Sequence, residues 1–379
     1  MNIDKFKVEY WLNPYDPLAK YNLGSSCCKP FTVNEMLEFT GTDPKEFYDE
    51  IDKMSLHYGY FEGMPRLKKA IANLYTDVVT EDMILSVHGG TGANSIVCYT
   101  LCEPGDNVVS VLPNYQMFYS IPEFLGIEVR RAFADASTGW KLDFDSIEAA
   151  VDENTKMISL ASPNNPTGYT LSKEDLERLA EIARKVGAYV VVDEIYRGLG
   201  EGYMHSIVDV YEKGICTFGT SKVFSCAGTR VGWIITRDMS IFDALHNFRS
   251  YNSICEGPIN ELITAIILEN ADKVYARNRA IVEEGRAALH EWLAENPHYH
   301  EVCDSLSSTS FLEYDFDIPA EEFSQGLFDE MGTLVCHGMC FEIDHAFRIG
   351  YGFGDVEYFK DGLAQITAYT KQLEAEGRI

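Results

Sequence analysis

The stretch SKEDLERLAEIARKVGAYVVVDEIY, residues 172–196, contains a complete helix followed by a complete strand. Ser172 and Asp175 have the spacing of a capping box and Gly187 is a typical helix stop, so one helix is predicted between them. The run AYVVV that follows is apolar on both faces, which is typical of a strand inside a parallel sheet. The polar residues DEIY come directly after it. This unit indicates an α/β fold.

The same alternation of helix and strand continues on both sides of this unit. Runs rich in valine, isoleucine and aromatic residues are separated by helical segments and by turns such as EPGD. This alternation predicts a mostly parallel sheet of the seven-stranded type, covered by helices on both faces. The predicted strands are MILSVH (83–88), NVVSVL (107–112), IEVRRAF (127–133), KMISLAS (156–162), AYVVVDE (188–194), ICTFGTS (215–221) and TRVGWIIT (229–236).

At 379 residues the chain exceeds the usual size of a single core, so two domains are expected. A long helix is predicted over residues 271–296, and the short strands FLEYDF, TLVCH and FRIGYG follow before a closing helix from Asp355. We therefore predict a large domain at residues 48–275 and a smaller α+β domain formed by residues 1–47 and 276–379.

The formal net charge of −28 repels phosphate backbones and anionic lipid surfaces, so neither nucleic acid nor a membrane is expected as a partner. No apolar run approaches the roughly 18 residues that a membrane-spanning helix needs. The sequence begins MNIDKFKVEY, without an apolar stretch of the signal-peptide type. We expect a cytoplasmic protein.

Ten cysteines are scattered along the chain without the spacing of a disulfide framework. Cys27 and Cys28 are adjacent, and Cys336 and Cys340 flank His337, but neither arrangement has the CxxC pairing of a zinc site. No metal site is expected.

Four polar or glycine-rich clusters come directly after predicted strands. They are HGGTGAN at 88–94, SPNNPTG at 162–168, DEIY at 193–196 and TSK at 220–222. The carboxyl ends of parallel strands lie at one edge of a sheet, and ligands bind there in open α/β sheets. The four clusters are therefore expected to form one site.

The glycine-rich cluster lies between a strand and a helix, where free backbone amides and the helix dipole favour an anion. A dinucleotide site would need GxGxxG with an acidic residue at the end of the next strand, but that strand ends in Pro113 and Asn114. Asp193 ends an apolar strand, where a carboxylate needs a cationic or hydrogen-bonding partner. Lys222 ends another strand, where desolvation is expected to lower its pKa and make it a nucleophilic amine. An anion cradle, a carboxylate and an amine match the phosphate, ring nitrogen and aldehyde of pyridoxal phosphate.

The order GGTGA, PNY, NNPTG, DEIY, SK and Arg230 resembles the class I/II aminotransferase family of fold type I. The resemblance covers nearly all of residues 55–355. It implies pyridoxal 5′-phosphate as the cofactor and a homodimer with shared active sites. It also implies transfer of an amino group between an L-amino acid and a 2-oxo acid.

The resemblance also implies roles for individual residues. Lys222 would form the internal aldimine and move the substrate proton, and Asp193 would keep the ring nitrogen protonated. Arg348, with Asn165, would bind the substrate α-carboxylate. The other cofactor contacts would be Gly90, Thr91, Ser221 and Arg230 at the phosphate, Tyr115 stacked on the ring, Asn165 and Tyr196 at the ring hydroxyl, and Tyr58 at the phosphate of the neighbouring subunit.

The sequence departs from the family pattern in two places. Gly219 stands three residues before the lysine, where the family often has a phosphate-binding serine, so Ser221 or Thr220 is expected to replace it. The segment LGSSCCKP at residues 23–30 differs from the more usual LxxGxP and lies where the substrate pocket would be covered.

These departures leave the substrate unassigned. The candidates for contacts with its side chain are Tyr15, Tyr21 and Arg249, the arginine being suited to an acidic substrate. Because the motifs hold the cofactor rather than the substrate side chain, two other reactions stay open, carbon-sulfur β-elimination and amino-acid cyclisation. A non-catalytic protein that binds the cofactor as a ligand is a third alternative.

Overall fold

The structure is a computed structural model that describes residues 3–379. Its strands are β1 (Tyr21–Asn22), β2 (Ile84–His88), β3 (Asn107–Leu112), β4 (Glu128–Phe133), β5 (Thr155–Ala161), β6 (Tyr189–Asp193), β7 (Gly214–Gly219), β8 (Val231–Thr236), β9 (Tyr299–Glu301), β10 (Thr309–Tyr314), β11 (Thr333–Leu334), β12 (Cys336–His337) and β13 (Ala346–Gly350). Its α-helices are α1 (Lys7–Tyr15), α2 (Val33–Thr40), α3 (Pro44–Lys53), α4 (Pro65–Ala72), α5 (Gly89–Leu101), α6 (Met117–Phe124), α7 (Phe144–Ala150), α8 (Lys173–Val186), α9 (Ile207–Val210), α10 (Phe242–Asn252), α11 (Pro258–Glu269), α12 (Ala271–Glu295), α13 (Ala320–Met331) and α14 (Val356–Ala375). Short 3₁₀ helices lie at Asp16–Leu18, Glu81–Met83, Ala136–Thr138, Ala227–Thr229 and Gly338–Phe341.

The large sheet contains seven strands in the order β2-β8-β7-β6-β5-β3-β4. Strand β8 runs antiparallel to both of its neighbours, and the other pairs are parallel. The predicted seven-stranded, mostly parallel sheet is therefore confirmed. Since β7 and β8 are antiparallel neighbours, the loop between them starts and ends at the same edge of the sheet. This loop carries both Lys222 and Arg230.

The central strands are buried on both faces, as their apolar runs predicted. Every residue of β3, β6, β7 and β8 is buried. On β7 and β8, Phe218 and Trp233 stack with their ring centroids 4.6 Å apart, and Trp233 Nε1 donates a hydrogen bond of 3.0 Å to the Tyr75 hydroxyl. Burial of large apolar side chains is the main favourable term in folding, so these strands are a stable support for the loops at their ends.

Helix α8 has the ends that its sequence predicted. The Ser172 side chain accepts from the backbone N–H of Asp175, the Asp175 side chain accepts from Ser172 in return, and Gly187 ends the helix at φ 74°. A left-handed residue at this position favours glycine, which has no Cβ.

A second region combines short strands with helices. Strands β12, β13, β10 and β9 form an antiparallel sheet in that order, and β1 near the amino end pairs in parallel with β11 near the carboxyl end. Both chain ends thus contribute to one region, and the long predicted helix is present as α12. The domain division at residues 48–275, 1–47 and 276–379 stays a prediction. Within residues 3–379, no helix is both long and apolar enough to cross a membrane.

Candidate active site

A cavity of about 490 Å³ lies at the edge of the large sheet where β5, β6 and β7 end and α5 begins. The four clusters that follow the predicted strands all contribute to its lining, as expected. Of the residues to which the resemblance gave contacts with the cofactor or the substrate α-carboxylate, all but Tyr58 line it: Gly90, Thr91, Tyr115, Asn165, Asp193, Tyr196, Ser221, Lys222, Arg230 and Arg348.

Asp193, the last residue of β6, is a buried carboxylate held by two neutral donors. Asn94 Nδ2 donates to its Oδ2 at 2.8 Å, and the backbone N–H of Ile195 donates to its Oδ1 at 3.0 Å. Asn94 is itself oriented by Thr217 on β7, whose hydroxyl donates to Asn94 Oδ1 at 2.6 Å. Burial raises the pKa of Asp193 to about 6, and the two hydrogen bonds and Lys222 offset only part of that effect. A cation against this carboxylate would lower its pKa again.

Lys222 lies in the same cavity, directly beyond the end of β7. Its Nζ donates a hydrogen bond of 2.8 Å to Ser26 Oγ and lies 3.6 Å from Cys27 Sγ. Burial lowers the pKa of Lys222, as expected, but the acidic groups around it, led by Cys27 and Tyr196, raise the pKa by more than burial lowers it, so the net pKa stands above the ordinary value. The sequence predicted the desolvation but not the net direction, because the acidic side chains come from other segments of the chain.

The first turn of α5 provides free backbone amides at one side of the cavity. Gly89 adopts φ +71°, and a Cβ there would lie 2.8 Å from Arg230 Nη2, so only glycine lets the arginine approach this turn. Gly90, Thr91 and Arg230 thus form a compact cradle for an anion at a helix amino terminus.

Gly219 packs directly on this cradle. A Cβ on it would lie 2.6 Å from the backbone nitrogen of Gly90, so a serine at this position would require the two segments to move apart. Of the two expected replacements, Ser221 lines the cavity, whereas the buried Thr220 hydroxyl donates to the backbone oxygen of Val231 at 3.0 Å.

Arg348 is buried on β13 and reaches the cavity from the second region. Nη1 donates to Asn165 Oδ1 at 2.8 Å and Nη2 donates to the backbone oxygen of Gly24 at 2.8 Å. Its buried Nε has no hydrogen-bond partner within residues 3–379. These contacts fix the guanidinium plane and leave donor capacity for a ligand carboxylate.

Helix α1 forms a wall of the cavity that the sequence did not predict. Phe6, Glu9, Leu12, Asn13 and the following Asp16 line it. The Tyr115 hydroxyl donates to Glu9 Oε1 at 3.2 Å, which links this wall to the aromatic expected to stack on the cofactor.

Asn94, Ser26 and Cys27 were also missed as site residues. Their signal was present in HGGTGAN, where Asn94 comes one turn into the helix, and in the unusual segment LGSSCCKP.

The structure does not support the three candidates for the substrate side chain. Tyr15 donates to Gln325 Oε1 at 2.8 Å and Tyr21 packs against Tyr358, so both lie outside the cavity lining. Arg249 is fully buried elsewhere, where it donates to the backbone oxygen of Ile254 at 3.1 Å. Its burial agrees with the other interpretation that the sequence left open for Arg249, a structural charge.

Tyr58 lies outside the cavity of its own chain, and 62% of its surface is exposed. The resemblance assigned it to the neighbouring subunit, so its contact with a phosphate stays a prediction.

The family model described as aminotransferase class I and II matches residues 30–365. The chain therefore belongs to the class I and II aminotransferase family. A crystal structure of a PLP-dependent aminotransferase from Streptococcus suis is 36% identical, with a TM-score of 0.95 over 98% of this chain and 99% of that one. The fold class and the family predicted from the sequence are confirmed.

Two curated relatives match over shorter stretches. The probable aminotransferase TAT2 of Arabidopsis thaliana is 29% identical over 62% of this chain and 60% of its own length. An aspartate aminotransferase of Streptomyces avermitilis is 32% identical over 46% of this chain and 45% of its own length. The chain thus spans less than two thirds of these relatives.

The family implies pyridoxal 5′-phosphate, and the residues of the cavity fit it. The cradle beside Arg230 suits a phosphate, and the buried Asp193, held by neutral donors, suits a protonated ring nitrogen. Lys222 is the amine for the aldehyde, and the flat ring of Tyr115 lines the same space. The cofactor predicted from the sequence is confirmed.

Proposed function

We propose that this protein is an aminotransferase that moves an amino group between an L-amino acid and a 2-oxo acid. The observation that carries the proposal is the convergence of Lys222, Asp193 and Arg348 on one cavity, although they come from the β7–β8 loop, β6 and β13. The three side chains supply an amine, a fixed anion and a carboxylate-binding cation. These are the groups that transamination with pyridoxal phosphate requires.

The cofactor, when bound, supplies an electron sink that accepts the electron pair left at the substrate α carbon. Asp193 would hold a proton at the ring nitrogen. Lys222 would hold the cofactor by its amine and would act as the base and acid that moves the proton at the substrate α carbon.

Arg348 and Asn165 orient the substrate. Arg348 would bind the α-carboxylate and thereby fix the orientation of the substrate α carbon. Because Asn165 Oδ1 already accepts from Arg348, the amide nitrogen of Asn165 is left to donate to the ring hydroxyl, with Tyr196 beside it. One residue thus links recognition of the substrate to recognition of the cofactor.

The phosphate would be held by Gly90, Thr91, Ser221 and Arg230, with Tyr115 stacked on the ring. Backbone amides at a helix amino terminus and a guanidinium are the donors that phosphate oxygens favour. These residues would hold the cofactor by its phosphate.

The protein is also proposed to be a homodimer with shared active sites, in which Tyr58 reaches the phosphate of the partner. An exposed apolar strip surrounds it: Leu56 is 93% exposed, and Tyr60 and Phe61 are each 55% exposed. Surface strips of this kind mark interfaces. A cytoplasmic location and a biosynthetic role complete the proposal, and the ten unpaired cysteines support a reducing compartment.

The proposed reaction is tested with the cofactor-loaded protein and an amino acid alone. Transamination converts the cofactor to its amine form, which is followed by absorbance, and a 2-oxo acid restores the original spectrum. The Lys222→Ala variant should show neither change. Release of pyruvate and ammonia from cysteine conjugates without formation of the amine form would identify a carbon-sulfur lyase instead. A cyclic product would identify a cyclase, and an unchanged spectrum with every amino acid would indicate a binding protein.

A further inference from the structure

We infer that the amino donor carries a cationic side chain and that Glu9 on α1 is the residue that recognises it. This inference rests on the proposed aminotransferase function and names the substrate class of the same cavity. It concerns the part of the substrate that the motifs shared with the family leave unspecified.

The charges that line the cavity lead to this conclusion. Its cationic lining residues are Lys222, Arg230 and Arg348, and its anionic ones are Glu9, Asp16 and Asp193. In the proposed function, Lys222 is assigned to the cofactor aldehyde, Arg230 to the phosphate and Arg348 to the substrate α-carboxylate. Asp193 is used by the ring nitrogen. Both charges that remain in the lining contributed by this chain are carboxylates, so this chain's side of the space left for the substrate side chain is anionic.

Glu9 contacts the reaction space itself. Its Oε1 accepts 3.2 Å from the hydroxyl of Tyr115, whose ring faces the cofactor. This donor is neutral, and no ion pair within residues 3–379 includes Glu9 or Asp16. A carboxylate beside a substrate pocket without a cation of its own is most stabilised by a ligand that brings one.

Asp16 adds a second carboxylate on the same wall. It accepts a hydrogen bond from Asn22 Nδ2, and Asn22 Oδ1 in turn accepts from the backbone N–H groups of Gly24 and Ser25 at 3.0 Å each. Gly24 also accepts from Arg348. A short chain of contacts therefore connects the acidic wall to the arginine that binds the α-carboxylate.

A second observation indicates that a ligand enters this space. Arg348 is 2% exposed and lines the cavity, and its Nε lacks a hydrogen-bond partner within residues 3–379. A buried guanidinium with an unused donor is costly unless a carboxylate meets it. An α-amino acid bound there by its carboxylate extends its side chain within the cavity that Glu9 lines. An acidic side chain would be repelled, and Arg249 is buried elsewhere and does not neutralise it.

The experiment compares amino donors of matched shape in the conversion of the loaded protein to its amine form. Arginine is paired with citrulline, its uncharged isostere, and lysine with norleucine. We expect kcat/KM to be about tenfold to a hundredfold higher for the cationic member of at least one pair. This factor corresponds to the usual contribution of a hydrogen bond to a charged group. Conversion of glutamate, citrulline or norleucine as fast as arginine and lysine would overturn the inference while leaving transamination intact. Conversion of no amino acid would overturn the proposed function instead.

The role of Glu9 is isolated by Glu9→Gln, which keeps the shape and the acceptor for Tyr115 but removes the charge. The preference within the favoured pair should fall about tenfold or more, because only the cationic member loses an ion pair. Glu38→Gln, an exposed site on α2, is the matched control and should leave both rates unchanged. Equal losses for both members would show that Glu9 only supports Tyr115.

A binding measurement gives a readout without turnover. The Lys222→Ala protein, loaded with the cofactor, is titrated with arginine and with citrulline by calorimetry. Tighter binding of arginine by about tenfold, lost in the double variant with Glu9→Gln, is expected. Equal affinity for the two compounds contradicts the inference. If Glu9→Gln weakens cofactor binding, Asp16→Asn provides a second test of the acidic wall by the same pair of ligands.

Discussion

Asn94 Nδ2 donates a hydrogen bond of 2.8 Å to Asp193 Oδ2 and thereby joins the second turn of α5 to the end of β6. The same amide is held in place by Thr217, the neighbour of Asp193 on β7. The carboxylate proposed to face the ring nitrogen is therefore held by a contact that joins α5, β6 and β7. We therefore propose Asn94 as a positioning residue for the cofactor.

Replacing Asn94 by Ala should weaken cofactor binding. The change removes a donor from a buried carboxylate, which costs about 1–3 kcal/mol, or roughly one order of magnitude in the dissociation constant. The constant is measured by titrating the unloaded protein with pyridoxal phosphate. Asn73→Ala, at the end of α4 and outside the cavity, is the control. Unchanged affinity in Asn94→Ala would mean that Asp193 keeps its position without this contact.

The pKa of Asp193 predicts a pH dependence of stability in the unloaded protein. Burial raises the pKa to about 6 from 3.8, so the folded state retains a proton that the unfolded state has already released. The free energy of unfolding should therefore fall as the pH rises from about 4 to about 6, by at most about 3 kcal/mol from this residue.

Asp193→Asn isolates this effect from that of the other carboxylates. Its stability relative to the parent protein should increase over this interval and level off above it, as measured by urea unfolding at several pH values. Loading with the cofactor should abolish this pH dependence of the stability difference, because a protonated ring nitrogen compensates the buried charge. A constant difference between the two unloaded proteins would exclude ionisation of Asp193 in this range.

Replacing Arg348 by Lys should impair recognition of every amino acid by a similar factor. Lysine keeps the charge but loses the planar pair of donors that matches a carboxylate. We expect KM to rise about tenfold or more, corresponding to about 1.5–3 kcal/mol. The absorbance of the bound cofactor should not change, which separates this effect from a loss of cofactor. A loss restricted to one class of side chain would place Arg348 at the side chain rather than at the α-carboxylate.

Replacing Gly219 by Ser should harm the protein, although serine is common at this position in the family. The added Cβ would lie 2.6 Å from the backbone nitrogen of Gly90, and overpacking of this kind costs about 1–3 kcal/mol. Both the melting temperature and the affinity for the cofactor should fall. Gly228→Ser is the matched control, because a Cβ at Gly228 meets nothing within 4 Å. Tighter cofactor binding in Gly219→Ser would show that the cradle accommodates the usual serine.

The elements that could be predicted from the sequence are those with a local physical signal. The capped helix α8 and the doubly buried strands have periodicity and end signals within their own residues, so their bounds followed directly. Lys222 and Asp193 could be placed together because parallel strands bring their carboxyl ends to one edge. These inferences depended on the order of the clusters and on no long-range contact.

Features that depend on contacts between distant segments could not be predicted. Glu9 lies 106 positions before Tyr115 in the chain, and nothing in α1 indicates that its carboxylate faces the cavity. The pKa of Lys222 depends on Cys27, which lies 195 positions earlier in the chain. The sequence left Arg249 open between a substrate contact and a structural charge, because its burial among backbone oxygens depends on how α10 packs.

Helix α1 lies outside the large sheet, yet it supplies an entire wall of the cavity. It is fixed to other elements by a few contacts, among them Trp11 Nε1 donating to the backbone oxygen of Val335 at 2.8 Å and Lys7 pairing with Glu342. If Glu9 recognises the substrate as proposed, selectivity and cofactor chemistry occupy separable parts of the chain. We then expect an amino-terminal segment exchanged between relatives to change which amino acid is accepted while the catalytic machinery stays intact, which makes this helix a place for specificity to diverge and to be redesigned.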